Sequence, residues 1–177
     1  MHTQNLYQKA IRFAAQKHAG QGQTITGTIL PYVVHLSNVA MEILLAAPHS
    51  PGFDIDFAVQ LALLHDTLED TNTTIQELES EFGRDIAEGV QALTKNEALP
   101  KPMQMADSLQ RIKTLRKEVW AVKLADRITN LQPAPPHWDD ARINAYRLEA
   151  LEILSALEGG NSYLEKRLSQ KIGQYGL

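Results

Sequence analysis

Leu61-Ala62-Leu63-Leu64-His65-Asp66-Thr67-Leu68-Glu69-Asp70 is the stretch that decides the reading of this chain. Phe57, Leu61, Leu64 and Leu68 recur at helical spacing, which predicts a buried helix starting after Asp54. A His-Asp pair inside such a stripe needs a reason. Burying an ionised carboxylate costs on the order of several kcal/mol unless it is paired or metal-bound. Neighbours on a helix lie about 100° apart, so His65 and Asp66 can share one ion only if other helices complete the set.

Two other helical segments offer the missing ligands. His35 stands early in the segment after Pro31-Tyr32-Val33-Val34, and Asp126 stands in Val122-Lys123-Leu124-Ala125-Asp126-Arg127. Read singly, His35 is a satisfied core histidine. Together, His35, His65, Asp66 and Asp126 form a mixed N/O set suited to Mn²⁺, Mg²⁺ or Fe²⁺, with positions left for water. Glu69 and Asp70 each lie one helical turn beyond a candidate ligand. At a helix C-terminus the macrodipole disfavours them, which suggests that they hold water or relay its proton. Lys123, Asp126, Arg127 and Asn130 share one broad helical face, where the cations suit phosphate and the amide a base or sugar.

The remaining pattern is helical almost throughout. Leu6, Ala10, Phe13, Ala14 and Lys17 predict a first helix ending near Gly20-Gln21-Gly22, followed by a polar loop to Leu30 that can hold a hairpin. Pro31 fits the first turn of a second helix, running to about Ala47. Thr74 and Glu77 read as a capping box, with helices ending near Gly83 and Leu93. A loop is expected over 94–104, then helices near 105–115, 119–131, 139–158 and 161–173, the last capped by Asn161 or Ser162. The expectation is one all-α domain over 1–177, a bundle of about eight to ten helices.

Composition narrows the function. With no cysteine, disulfides, thiolate catalysis and zinc-thiolate sites are excluded. The apolar runs fall far short of the roughly 20 residues that span a bilayer, and no signal peptide is visible, so a soluble cytoplasmic protein is expected. The net charge of −4 conceals an asymmetry. From His18 to Gly83 there are nine acids and no Lys or Arg, whereas from Lys95 to Arg127 eight basic residues face four acids. An acidic half suits a dication and a basic stretch suits a polyanion. Nucleic-acid readout is not supported by an acidic chain with 6% aromatics, and His2, His49, His137, Trp120 and Trp138 receive no chemical role.

Strings over most of the chain carry a family resemblance. They are Phe13-Ala14-Ala15-Gln16-Lys17-His18-Ala19-Gly20-Gln21, Pro31-Tyr32-Val33-Val34-His35, His65-Asp66-Thr67-Leu68-Glu69-Asp70-Thr71, Glu81-Phe82-Gly83, Leu93-Thr94-Lys95 and Lys123-Leu124-Ala125-Asp126-Arg127-Ile128-Thr129-Asn130. The chain resembles the HD-type (p)ppGpp hydrolase domain of the RelA/SpoT family, and in particular the stand-alone small alarmone hydrolases. The resemblance implies Mn²⁺ held by His35, His65, Asp66 and Asp126, and water positioned by Glu69 and Asp70. It implies nucleotide contacts at Tyr32, Lys95, Asn130 and Tyr146, and a hydrolase without a synthetase domain. The implied reaction hydrolyses the 3′-pyrophosphate, giving GDP or GTP plus pyrophosphate. One departure bears on substrate: the family's Arg-Lys pair before Pro-Tyr is absent, since residues 21–30 contain no basic side chain. Leu36 also stands where the family often has proline. Hydrolysis of NADPH or another nucleotide on the same metal site is the alternative, and a non-catalytic nucleotide-binding module the second.

Overall fold

The computed structural model describes residues 2–176; Met1 and Leu177, the ends of the expected domain, lie outside the described residues. The regular structure is α1 (His2–Gly20), α2 (Val33–Ala46), a 3₁₀ turn (Ala47–His49), α3 (Ile55–Leu64), α4 (Thr67–Asp70), α5 (Ile75–Phe82), α6 (Arg84–Leu93), α7 (Lys101–Lys113), α8 (Lys117–Asn130), α9 (Asp140–Ala156) and α10 (Ser162–Gln174). A single antiparallel bridge, Thr24 with Pro31, closes the loop after α1. The fold is all-α, as the periodicity predicts.

Two helices form the centre. Every residue of α3 from Phe57 to Leu64 except Gln60 is buried, and α8 is buried from Glu118 to Thr129. Helices buried on all sides need neighbours on all sides. Accordingly α3 packs against α1, α2, α6 and α8, while α8 packs against α2, α3, α9 and α10. Gly89 lets α6 approach closely, since a Cβ there would stand 2.9 Å from Leu61 Cδ1.

Capping side chains fix several helix starts. Asp54 Oδ1 accepts from the Phe57 N–H at 3.0 Å, and Asn161 Oδ1 accepts from Leu164 N–H at 3.1 Å, which settles the cap of α10 on Asn161. Thr74 caps α5 through the Glu77 N–H, but the Glu77 carboxylate pairs with Lys17 instead of completing a capping box. The boundaries shift elsewhere. Helix α7 begins at Lys101, inside the expected loop, with Pro102 in its first turn, where a proline gives up no helical hydrogen bond. Helix α2 begins at Val33, so Pro31 precedes it rather than entering its first turn.

The main correction concerns the deciding stretch. The helix from Asp54 does not continue through Leu68 but stops at Leu64, and Thr67–Asp70 is a separate turn. Two side chains take the carbonyls that a continuing helix would use. His65 Nδ1 donates to Ala62 O at 2.8 Å, and Thr67 Oγ1 donates to Leu64 O at 2.7 Å. Asp66 sits between them at φ −99°, ψ 0°, outside the helical region.

Candidate metal centre

The break in the chain brings His65 and Asp66 onto one side. His65 Nε2 lies 3.0 Å from Asp66 Oδ2, a proximity that an unbroken helix would not favour. His35, in the first turn of α2, places Nε2 3.7 Å from the same Asp66 oxygen and 3.4 Å from Asp126 Oδ1. Asp126, on α8, lies 3.6 Å from His65 Nε2. The candidate ligand atoms of His35, His65 and Asp126 fall within 4.8 Å of one another, and Asp66 Oδ2 lies beside the two imidazoles, 3.0 Å from His65 Nε2 and 3.7 Å from His35 Nε2.

The donor set fits a divalent cation. Nε2 of both His35 and His65 is buried and has no hydrogen-bond partner, yet each faces two carboxylates. Buried polar atoms are nearly always satisfied, so two orphans pointing at one spot mark a place for an ion. The His65 Nδ1–H is engaged by Ala62 O, which makes Nε2 the nitrogen that a cation would meet.

Electrostatics without an ion are consistent with this. Burial favours the neutral His65 ring, but Asp66 and Asp126 override it and hold its pKa well above the usual value. Burial would raise Asp126, yet Lys123, with Nζ 3.3 Å from Asp126 Oδ2, and the two imidazoles hold it well below the carboxylate range. A cation in the same place would meet two ionised carboxylates.

Neighbouring side chains brace the ligands. The Tyr32 hydroxyl donates to Asp66 Oδ2 at 2.5 Å, and burial together with that carboxylate keeps its pKa above the usual phenol value, so it remains a donor. Asn130 Nδ2 donates to Asp126 Oδ1 at 2.5 Å. Glu69 is held at both oxygens by Lys95, with the backbone N–H on Oε2 at 3.0 Å and Nζ on Oε1 at 2.9 Å. Asp70 accepts at Oδ2 from Gln23 Nε2 at 2.8 Å, and burial raises its pKa. Because α4 is a single turn, the macrodipole argument for Glu69 and Asp70 does not apply.

A cavity of about 590 Å³ opens from His35, walled by Tyr32, Asn130 and Tyr146 and by Asn38, Trp138 and Arg142. A second cleft of about 770 Å³ runs between α6 and α7 and meets the site at Lys95. Arg127, expected among the phosphate contacts, is instead buried; it pairs with Glu149 and lies 4.5 Å from the centroid of the Tyr146 ring. Trp138, which the sequence gives no chemical role, forms cavity wall, edge-on to Tyr146 at 5.4 Å, with Arg142 over its ring at 4.3 Å. Gln23 was also missed, since a glutamine in a neutral loop carries no signal of its own. Trp138 shows in the sequence only as an aromatic after Pro133, Pro135 and Pro136.

Comparison with known proteins agrees with this geometry. An HD-domain family model matches residues 10–161. A Xenopus tropicalis protein, guanosine-3′,5′-bis(diphosphate) 3′-pyrophosphohydrolase MESH1, is 34% identical over 96% of this chain and 94% of its own length. The human protein of that name is 33% identical over 96% of this chain and 94% of its own length. A solved structure of a metazoan SpoT orthologue, described as hydrolysing ppGpp and playing a role in starvation responses, superposes with a TM-score of 0.83 at 27% identity, covering 97% of this chain and 96% of that one. Three buried candidate ligands from separate segments, an adjacent His-Asp pair and a match over nearly the full length lead to one conclusion: the chain belongs to the HD-domain family, alongside the small guanosine-3′,5′-bis(diphosphate) 3′-pyrophosphohydrolases.

Proposed function

We propose that this protein is a metal-dependent phosphohydrolase that removes the 3′-pyrophosphate of (p)ppGpp, leaving GDP or GTP, with Mn²⁺ as its cation. The observation that carries this reading is the pair of orphaned imidazole nitrogens facing Asp66 and Asp126, with His35 in the wall of a nucleotide-sized cavity. His35, His65, Asp66 and Asp126 would hold the cation. When bound, it supplies Lewis-acid polarisation of the phosphoryl group and lowers the pKa of water.

The chain's own residues do the rest. Asp70, its pKa raised by burial and by the nearby Asp66 and Glu69 charges, accepts the proton of the attacking water. Glu69, clamped by Lys95, orients that water. Tyr32 and Asn130 keep Asp66 and Asp126 aimed at the ion while lining the cavity. Lys95 and Lys123 supply positive charge for the diphosphate, and Tyr146 forms a wall for the nucleoside. Arg127 supports Tyr146 from behind. The proposed setting is the cytoplasm, with the nucleotide as partner and neither nucleic acid nor membrane involved; no described helix is long and apolar enough to cross a membrane.

A second reading keeps the site and exchanges the substrate for NADPH or another phosphorylated nucleotide. The loop that contributes Ile25 and Thr26 to the cavity wall brings no cation, and this favours it. Glu69→Gln and Asp70→Asn, assayed for pyrophosphate release at saturating Mn²⁺, separate catalysis from binding. Loss of turnover with metal retained supports the assignment; unchanged turnover removes it.

A further inference from the structure

The loop that lacks basic residues is nevertheless tied to the site, through Gln23. Gly22, at φ +63°, turns the chain back at the end of α1, so that the Gln23 N–H donates to His18 O at 3.1 Å. On its other side the Gln23 carbonyl accepts from Tyr32 N–H at 3.2 Å. The backbone is thus held at both ends, and the side chain has one direction to go. Its Nε2 donates to Asp70 Oδ2 at 2.8 Å, and its Oε1 meets His18 Nδ1 at 2.5 Å.

The polarity of this chain is fixed by Asp70. A carboxylate accepts only, so the amide must turn its NH₂ towards Asp70 and its oxygen towards His18. His18 must then carry its proton on Nδ1. The ring is 1% exposed, its Nε2 is buried without a partner, and burial lowers its pKa, so it stays in this neutral tautomer. The same ring lies against Tyr32 at 4.8 Å between centroids, and Tyr32 holds Asp66. One buried histidine therefore braces both the metal cradle and the acid beside it.

We infer that His18 and Gln23 are positioning residues for the hydrolysis, a relay running His18 Nδ1–H to Gln23 Oε1 and Gln23 Nε2–H to Asp70 Oδ2. The relay occupies one Asp70 oxygen and turns the other to the water. This rests on the reading of Asp70 as proton acceptor. Gln23 acts through Asp70, so its loss lowers kcat and leaves the nucleotide's KM alone.

The test is a kinetic cycle on the full chain with ppGpp and Mn²⁺, combining Gln23→Met and Asp70→Asn. Gln23→Met keeps length and removes both hydrogen bonds. The expected result is a kcat lower by about tenfold to a hundredfold, with KM and melting temperature unchanged and no further loss when added to Asp70→Asn. His18→Asn, whose amide can replace the Nδ1 donor, should retain more activity than His18→Phe. Full kcat in Gln23→Met beside a dead Asp70→Asn overturns the relay and leaves Asp70 in its role. Full kcat in Asp70→Asn overturns the proton-acceptor reading and the relay with it. A loss in Gln23→Met that adds to that of Asp70→Asn, or that tracks a fall in melting temperature, reduces Gln23 to a structural residue.

Discussion

The Tyr32 hydroxyl donates to Asp66 Oδ2 at 2.5 Å, joining residues 34 positions apart and fixing one candidate metal ligand from the N-cap of the helix that carries another. Tyr32 also packs between two histidine rings, His18 at 4.8 Å and His35 at 5.1 Å. Tyr32→Phe keeps both ring contacts and removes only the hydroxyl. Loss of a bond that supports a metal ligand costs about tenfold to a hundredfold in affinity. A Mn²⁺ titration of Tyr32→Phe should show weaker binding in that range with the fold unaltered.

The two central helices, α3 and α8, are tied together at one end by a small charged network. Asp54 caps α3, its N–H donates to Glu118 Oε1 at 2.9 Å, and Arg116 bridges the two carboxylates at 2.9 Å to each. Burial works against both acids, but the Phe57 and Asp54 N–H groups and Arg116 outweigh it and lower both pKa values. A carboxyl whose folded pKa is lowered stabilises the fold above its unfolded value, about 4, and that stability is lost as pH falls through the folded value. Glu118→Gln should flatten this acid loss and cost about 1–2 kcal/mol at neutral pH, read from denaturant unfolding at several pH values.

Trp138 and Tyr146 form the far wall of the cavity. Neither touches the ligand cluster, so they should contribute binding without chemistry. Trp138→Ala should raise KM for ppGpp roughly fivefold to tenfold while leaving kcat within about twofold, the pattern of an interaction made equally in ground and transition states.

Arg127 is buried with its charge answered by Glu149 and its plane against Tyr146. Glu149→Gln leaves that guanidinium without its counter-ion. Because Glu149 itself is 39% exposed, the cost should be about 1–3 kcal/mol rather than that of a fully buried pair, measured as a fall in unfolding free energy.

What the sequence made legible follows from what side-chain chemistry can announce. His35, His65, Asp66 and Asp126 are visible because imidazoles and carboxylates in apolar helices have few other reasons to be there. The helices themselves are visible because their apolar residues recur at helical spacing, as Phe57, Leu61 and Leu64 do on α3 and Trp120, Leu124 and Ile128 do on α8. The break after Leu64 is not visible: it depends on His65 and Thr67 side chains outcompeting the backbone for the carbonyls of Ala62 and Leu64. Gln23 is hidden for a similar reason, since its place depends on the turn at Gly22 and on a histidine five residues back. Arg127 shows the converse error. A basic residue beside a metal ligand suggests phosphate, and only packing reveals that its side chain is turned to Glu149 and Tyr146.

The most direct test is release of pyrophosphate from ppGpp by the purified chain with Mn²⁺, run beside NADPH and common nucleoside phosphates. Release that stops with EDTA, and that is absent from Asp66→Ala, is the predicted result. Silence on ppGpp from protein that binds Mn²⁺ would contradict the account. Phosphate released from another nucleotide would then keep the site and replace the substrate, and silence on the whole panel would leave a nucleotide-binding module.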